Sequence, residues 1–98
     1  MLKILETESD FDVIIKNGKW LVDFYAEWCG PCQVFGKIIE NINFINVLKV
    51  NVDEFPNIAK KFGVMSIPTI FFYSNGIQKM RKIGTISIDD VKSIVDSI

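Results

Sequence analysis

Histidine is absent from this 98-residue chain, which removes Ser-His-Asp and Cys-His catalysis and any His-ligated metal. Cysteine is scarce. Two thiols cannot fill a four-thiolate zinc site or serve as the dense disulfide framework of a small secreted protein. Arginine occurs once, at Arg81, so bidentate recognition of phosphate or carboxylate is poorly equipped. An excess of positive charge is missing too. Eleven basic side chains against twelve acidic ones leave a net charge of −1, without the basic stripe that nucleic acid requires. The longest run without a formal charge, Phe62 to Gln78, contains Gly63, Pro68, Asn75 and Gly76 and is too short to span a membrane. The segment Met1-Leu2-Lys3-Ile4-Leu5-Glu6 carries charges where a signal peptide needs an apolar stretch. The expectation is a cytoplasmic monomer without nucleic-acid or membrane partners, in a compartment that keeps thiols reduced.

What is present is enough for a core. Hydrophobic residues make up 49% of the chain and charged residues 23%, the balance of one globular domain over residues 1–98. A chain of this length buries roughly 60–70% of its unfolded surface without staples. Lys3 to Leu5 is a short apolar strand. Ser9 or Asp10 can cap a helix carrying Phe11, Ile14 and Ile15, stopped by Asn17-Gly18. Trp20 to Ala26 lacks polar alternation, as a strand covered on both faces does, and Asp23 is its one polar member. Cys29, Cys32, Phe35, Ile39 and Ile42 recur on one helical face, and Val47 to Val52 alternates as a strand. Pro56 to Phe62 reads as a short helix closed by Gly63. Thr69 to Tyr73 and Gln78 to Ile83 form a hairpin around Asn75-Gly76, and Ser87 with Asp90 caps a last helix carrying Val91, Ile94, Val95 and Ile98. This order predicts an α/β fold. A parallel core is extended by an antiparallel hairpin, giving a mixed sheet of about five strands with about four helices.

Trp28-Cys29-Gly30-Pro31-Cys32 falls where the buried strand ends and a helix begins. Residues three apart in a first helical turn share a face, with Cβ atoms about 5–6 Å apart, so the two sulfurs come within disulfide reach after modest adjustment. Pro31 lacks an N–H that a first turn would leave unpaired in any case, and it stiffens the ring. Cys29 at the helix start faces unpaired N–H groups that stabilise a thiolate, whereas Cys32 is expected to be more buried. One exposed, acidified thiol with one shielded partner suits reversible dithiol exchange. The bland alternatives are an inert disulfide or half of a metal knuckle. A loop this short restrains the unfolded chain little, and the knuckle lacks its other two ligands.

The stretch Val22-Asp23-Phe24-Tyr25-Ala26-Glu27-Trp28-Cys29-Gly30-Pro31-Cys32 resembles the thioredoxin family, as do Val50-Asn51-Val52-Asp53, Ser66-Ile67-Pro68-Thr69, Asn75-Gly76 and Gly84 in the same order. The resemblance covers nearly the whole chain and implies a thioredoxin fold. It implies that Cys29 is the nucleophile and Cys32 the resolving thiol of a protein dithiol–disulfide oxidoreductase. Gly30 and Pro31 would tune the redox pair, and no cofactor would be bound beyond the Cys29–Cys32 disulfide. Disulfide-containing proteins would be the substrates and an NADPH-dependent thioredoxin reductase the donor.

Asp23, read from its strand alone, is either a structural carboxylate bonded to backbone or a desolvated proton acceptor; the resemblance implies the second, serving Cys32. Lys49 is either an outward-facing lysine or, by the resemblance, a neighbour that tunes Asp23. Pro68 resembles the family's cis-proline set against the disulfide, with the backbone of Ile67 offered to an extended substrate segment. Trp28 would flank the docking surface, and Gly84 would supply an unusual dihedral and room for a partner. Lys60-Lys61 and Lys79 to Lys82 read as solvated faces. The chain departs from the family at Gly36-Lys37, where a helix proline is usual, and at Gln33, where a basic residue is frequent. The alternatives are a disulfide-forming or isomerising module, and a non-catalytic thioredoxin-fold interaction subunit.

Overall fold

A computed structural model describes all residues, Met1–Ile98. Its order is β1 (Leu2–Ile4), a 3-10 turn (Glu8–Asp10), α1 (Phe11–Ile14), β2 (Lys19–Tyr25), α2 (Gly30–Ile39), β3 (Asn46–Asn51), α3 (Pro56–Lys61), β4 (Thr69–Ser74), β5 (Ile77–Ile83) and α4 (Ile88–Ser97). One five-stranded sheet has the order β1-β3-β2-β4-β5. β3 runs parallel to both β1 and β2, and β4 and β5 add antiparallel strands. The mixed sheet and four helices expected from the sequence are present.

Side chains alternate across the pleat, so each strand feeds two cores. On one face Trp20, Val22, Phe24, Leu48, Val50, Phe71 and Tyr73 pack with Phe11, Ile58 and Ala59 of α1 and α3. On the other, Leu21, Val47, Ile70 and Phe72 pack with Phe35 and Ile39 of α2 and with Val91, Ile94 and Val95 of α4. The first core is aromatic: Phe24 meets Phe71 edge-on with ring centroids 5.4 Å apart, and Phe11 lies 5.3 Å from Phe62. Trp20 is buried in it and donates its indole N–H to the Asn17 carbonyl at 2.9 Å.

Local chemistry sets the ends. Ser87 Oγ accepts the Asp90 N–H at 3.1 Å, as its place before an acidic first turn predicts. Asn75 and Gly76 have φ of 50° and 81°, the left-handed pair that a tight two-residue hairpin demands. Four expectations need correction. Neither Ser9 nor Asp10 caps α1 with its side chain; Ser9 lies in the 3-10 turn, and Asp10 precedes α1 in helical backbone without a side-chain bond. β1 begins at Leu2 and ends before Leu5. As an edge strand it leaves Leu2 and Ile4 exposed, and the chain turns Leu5 into the core. α2 ends at Ile39, so Ile42 keeps its buried place outside the helix. Arg81 is not merely solvated: it donates to the carbonyls of Phe62 at 2.9 Å and Gly63 at 2.7 Å. Its guanidinium also lies 5.2 Å from the Phe71 ring centroid.

Candidate functional site

Cys29 is the N-cap of α2, in extended backbone, and Cys32 lies in the first turn with Gly30 and Pro31 at the two positions between. Their Cα atoms are 5.2 Å apart and the sulfurs are joined as a disulfide. The Cys32 N–H donates to Cys29 Sγ at 3.2 Å. One of the orphan donors of the helix start thus points at the sulfur that would carry negative charge after reduction. The expected contrast in exposure is narrow: Cys29 is 5% exposed and Cys32 2%. Cys29 is covered because Ile67, Val52 and Tyr25 pack against the small cluster it forms with Ala26 and Cys32.

Ile67 and Pro68 come to the disulfide from the loop before β4. The Ile67–Pro68 peptide is cis, and the Ile67 carbonyl oxygen lies 3.8 Å from Cys29 Sγ. Pro68 is buried and Ile67 half-buried. Gly84, at φ 87°, donates its N–H to the Pro68 carbonyl at 2.8 Å, and the space where a Cβ would project is open. Trp28 is 73% exposed, held by its indole N–H to Asp53 Oδ2 at 2.8 Å.

Asp23 is fully buried on β2. It shares a sheet face with Leu21, which packs on Phe35 and Ile39, and with Tyr25, which packs on Cys29 and Cys32, so it lies beneath α2. Neither carboxylate oxygen has a hydrogen-bond partner. Burial pushes its pKa from the ordinary 3.8 up to about 7, against a smaller lowering by Lys49. Lys49 stands opposite Asp23 in the β2–β3 register and is half-buried, not turned outward. Its ammonium lies over the Tyr25 ring, 4.3 Å from the centroid.

Asp53, bonded to Trp28, and Tyr25, packed on the thiol cluster, are site neighbours to which sequence reasoning gave no role. Asp53 stands in a quoted motif, but nothing in the sequence pairs it with Trp28, 25 positions away. Gln33 carries a second local surprise: its amide donates to the Glu27 carbonyl at 2.7 Å, bracing the segment before Cys29. No three His, Cys, Asp or Glu side chains cluster in a way that could hold a metal ion.

The thioredoxin family model matches residues 3–97. This chain belongs to the thioredoxin family. It is 47% identical over 85 residues to a thioredoxin of Rickettsia felis, covering 80% of this chain and 81% of that one. A thioredoxin of Staphylococcus epidermidis is 37% identical over 95 residues, covering 92% and 91%. Among solved structures, a point-mutant thioredoxin from Halobacterium salinarum superposes with a TM-score of 0.90 at 30% identity, over 98% of this chain and 88% of that one. With the Cys29–Cys32 pair at the start of α2, membership in the thioredoxin family makes the chain a thiol–disulfide oxidoreductase. The module that only forms or isomerises disulfides, and the non-catalytic subunit, are not favoured.

Proposed function

We propose that the chain works in the reducing direction on disulfides of other proteins, with Cys29 as nucleophile, Cys32 as resolving thiol and Asp23 as proton acceptor. The observation that carries this reading is the Cys29–Cys32 disulfide at the N-terminus of α2, where the Cys32 N–H points at Cys29 Sγ. Starting from the dithiol, the Cys29 thiolate attacks one sulfur of the substrate disulfide and the other leaves as a thiolate, forming a mixed disulfide. Cys32 then gives its proton to Asp23 and attacks Cys29 Sγ. The second substrate sulfur departs as a thiolate and takes up a proton. Two electrons pass from the protein dithiol to the substrate, and the internal disulfide re-forms.

The substrate segment lies along Ile67 and Pro68, adding its backbone there as a short strand, with Trp28 and Gly84 beside it. Gly30 and Pro31 hold the spacing of the pair. Lys49 tunes Asp23 by its charge. A flavin-dependent reductase drawing on NADPH returns the dithiol, and the chain itself holds no cofactor. One domain spanning residues 1–98, acting as a monomer in the cytoplasm without nucleic acid or membrane, completes the reading.

The test is reduction of insulin disulfides, first with dithiothreitol and then with NADPH and thioredoxin reductase, together with a trapping variant. Cys32→Ser should accumulate a covalent adduct between Cys29 and the substrate. Absence of any adduct, with turnover surviving loss of Cys29, would sink the scheme.

A further inference from the structure

Beneath α2 a row of directly opposed residues crosses the sheet: Ile4, Lys49, Asp23, Ile70 and Lys82. Asp23 is its only carboxylate and Lys49 the cation next to it, on strands about 4.8 Å apart. An ion pair between the two would be the ordinary outcome of such a register. It does not form. Both Asp23 oxygens are without a hydrogen-bond partner, and the Lys49 ammonium lies over the ring of Tyr25, the diagonal neighbour, 4.3 Å from its centroid. Attraction of an ammonium to the face of an aromatic ring strengthens as water is removed, and Lys49 is half-buried here. The other side of the ammonium is bounded by α2. A Cβ built on Gly36 would stand 3.4 Å from Lys49 Nζ, at ordinary contact distance, so this turn of α2 closes against the ammonium.

We propose that Tyr25 and Gly36 form a seat that holds the Lys49 ammonium away from Asp23, which makes Tyr25 a positioning residue for the proton acceptor. The seat leaves the buried carboxylate without a direct cationic partner, so that it can take a proton from Cys32. This consequence rests on the role proposed for Asp23; the seat itself rests on geometry alone.

The other ionisable groups on this side of the sheet do not do the work of Tyr25. Cys32, from α2, packs with Tyr25 in the small thiol cluster. Glu27 and Gln33 border the groove that Lys49 shares with Tyr25 and Cys32, and Lys37 and Glu40 border its continuation past Gly36. Burial raises the pKa of the Tyr25 hydroxyl, and the negative charges of Glu27, Asp23 and Glu54 add to that while Asn51 opposes it. Lys82 is exposed on the edge strand, with Ile70 between it and Asp23.

The experiment is a titration of 13C-labelled aspartate by NMR in the oxidised, full-length protein. Tyr25→Leu removes the ring and lets the ammonium close on Asp23, lowering the Asp23 midpoint by about one pH unit. Tyr25→Phe keeps the ring and the midpoint. In a Lys49→Met background Tyr25→Leu produces no fall. An unchanged midpoint in Tyr25→Leu, or a fall that persists without Lys49, overturns the seat. The unmodified protein supplies an independent reading: the Lys49 Cε protons should resonate upfield of those of the other lysines through the ring current of Tyr25, and an unshifted resonance also overturns it. Neither readout uses substrate. Full-rate insulin reduction by Asp23→Asn would therefore remove the proton-acceptor role and leave the seat to be decided by the titration.

Discussion

Asp23 stands directly opposite Lys49 in the β2–β3 ladder, yet neither of its carboxylate oxygens finds a hydrogen-bond partner. The carboxyl is neutral in the folded chain over a range where the unfolded chain has it ionised, from 3.8 to about 7. The native state therefore binds the extra proton, and stability falls as pH rises through that window. The loss is complete above about pH 7 and amounts to about 4 kcal/mol. Asp23→Asn should be more stable than the parent by about 2 to 4 kcal/mol near pH 8, with the margin closing toward pH 4. Urea denaturation at the two pH values measures it, and a pH-independent difference would contradict the burial argument. Insulin reduction by the same variant should be slowed most at neutral pH.

Gly36 lies in the interior of α2, where glycine costs about 1 kcal/mol relative to alanine. The added methyl group would meet only the flexible end of Lys49, at 3.4 Å. Gly36→Ala should raise stability by about 0.5 to 1 kcal/mol, read as a higher denaturation midpoint with an unchanged slope.

Arg81 joins β5 to the segment that follows α3 through two hydrogen bonds to carbonyl oxygens. Arg81→Met removes both donors and the charge over Phe71 while keeping much of the stem. The group is exposed, so the loss is limited to about 1 kcal/mol. Amide hydrogen exchange should quicken around Phe62 to Val64 before it does in the sheet.

Trp28 is exposed and fastened only by its indole N–H to Asp53. Trp28→Ala should leave stability within about 0.5 kcal/mol, since little surface is returned to water. If the indole flanks the docked substrate, kcat/KM for insulin falls about tenfold, whereas a small aromatic disulfide reacts nearly as before. Equal losses on both substrates would place the indole in the chemistry instead.

Most of the fold was legible because the relevant signals are local. Strand alternation, the Asn75-Gly76 turn and the Ser87 cap each act within a few residues, and the structure realises them. The Cys29–Cys32 pair was legible for the same reason: spacing and helix start are both local. What escaped depends on contacts distant in sequence. The Trp28–Asp53 bond joins residues 25 apart, and Arg81 reaches carbonyls 18 and 19 positions back. No periodicity encodes such pairs. Only the family resemblance offered Lys49 as Asp23's neighbour, since alternation alone allows the lysine to face outward; the parallel β2–β3 register sets the two opposite. The sequence could not show that the lysine would turn to the diagonal ring. The near-equal burial of the two cysteines escaped as well, since the cover over Cys29 is supplied by Ile67, 38 residues on.

Two indoles in opposite surroundings give the protein two separate optical reporters. Trp20 is buried in the aromatic core, far from the thiols in packing terms, and its emission should change only when the sheet comes apart. Trp28 adjoins Cys29 in the chain and stands in solvent, so its emission should follow the opening and closing of the disulfide and the arrival of a partner. With Trp28→Phe the spectrum becomes a gauge of folding alone, and with Trp20→Phe a gauge of the redox cycle in a chain that stays folded.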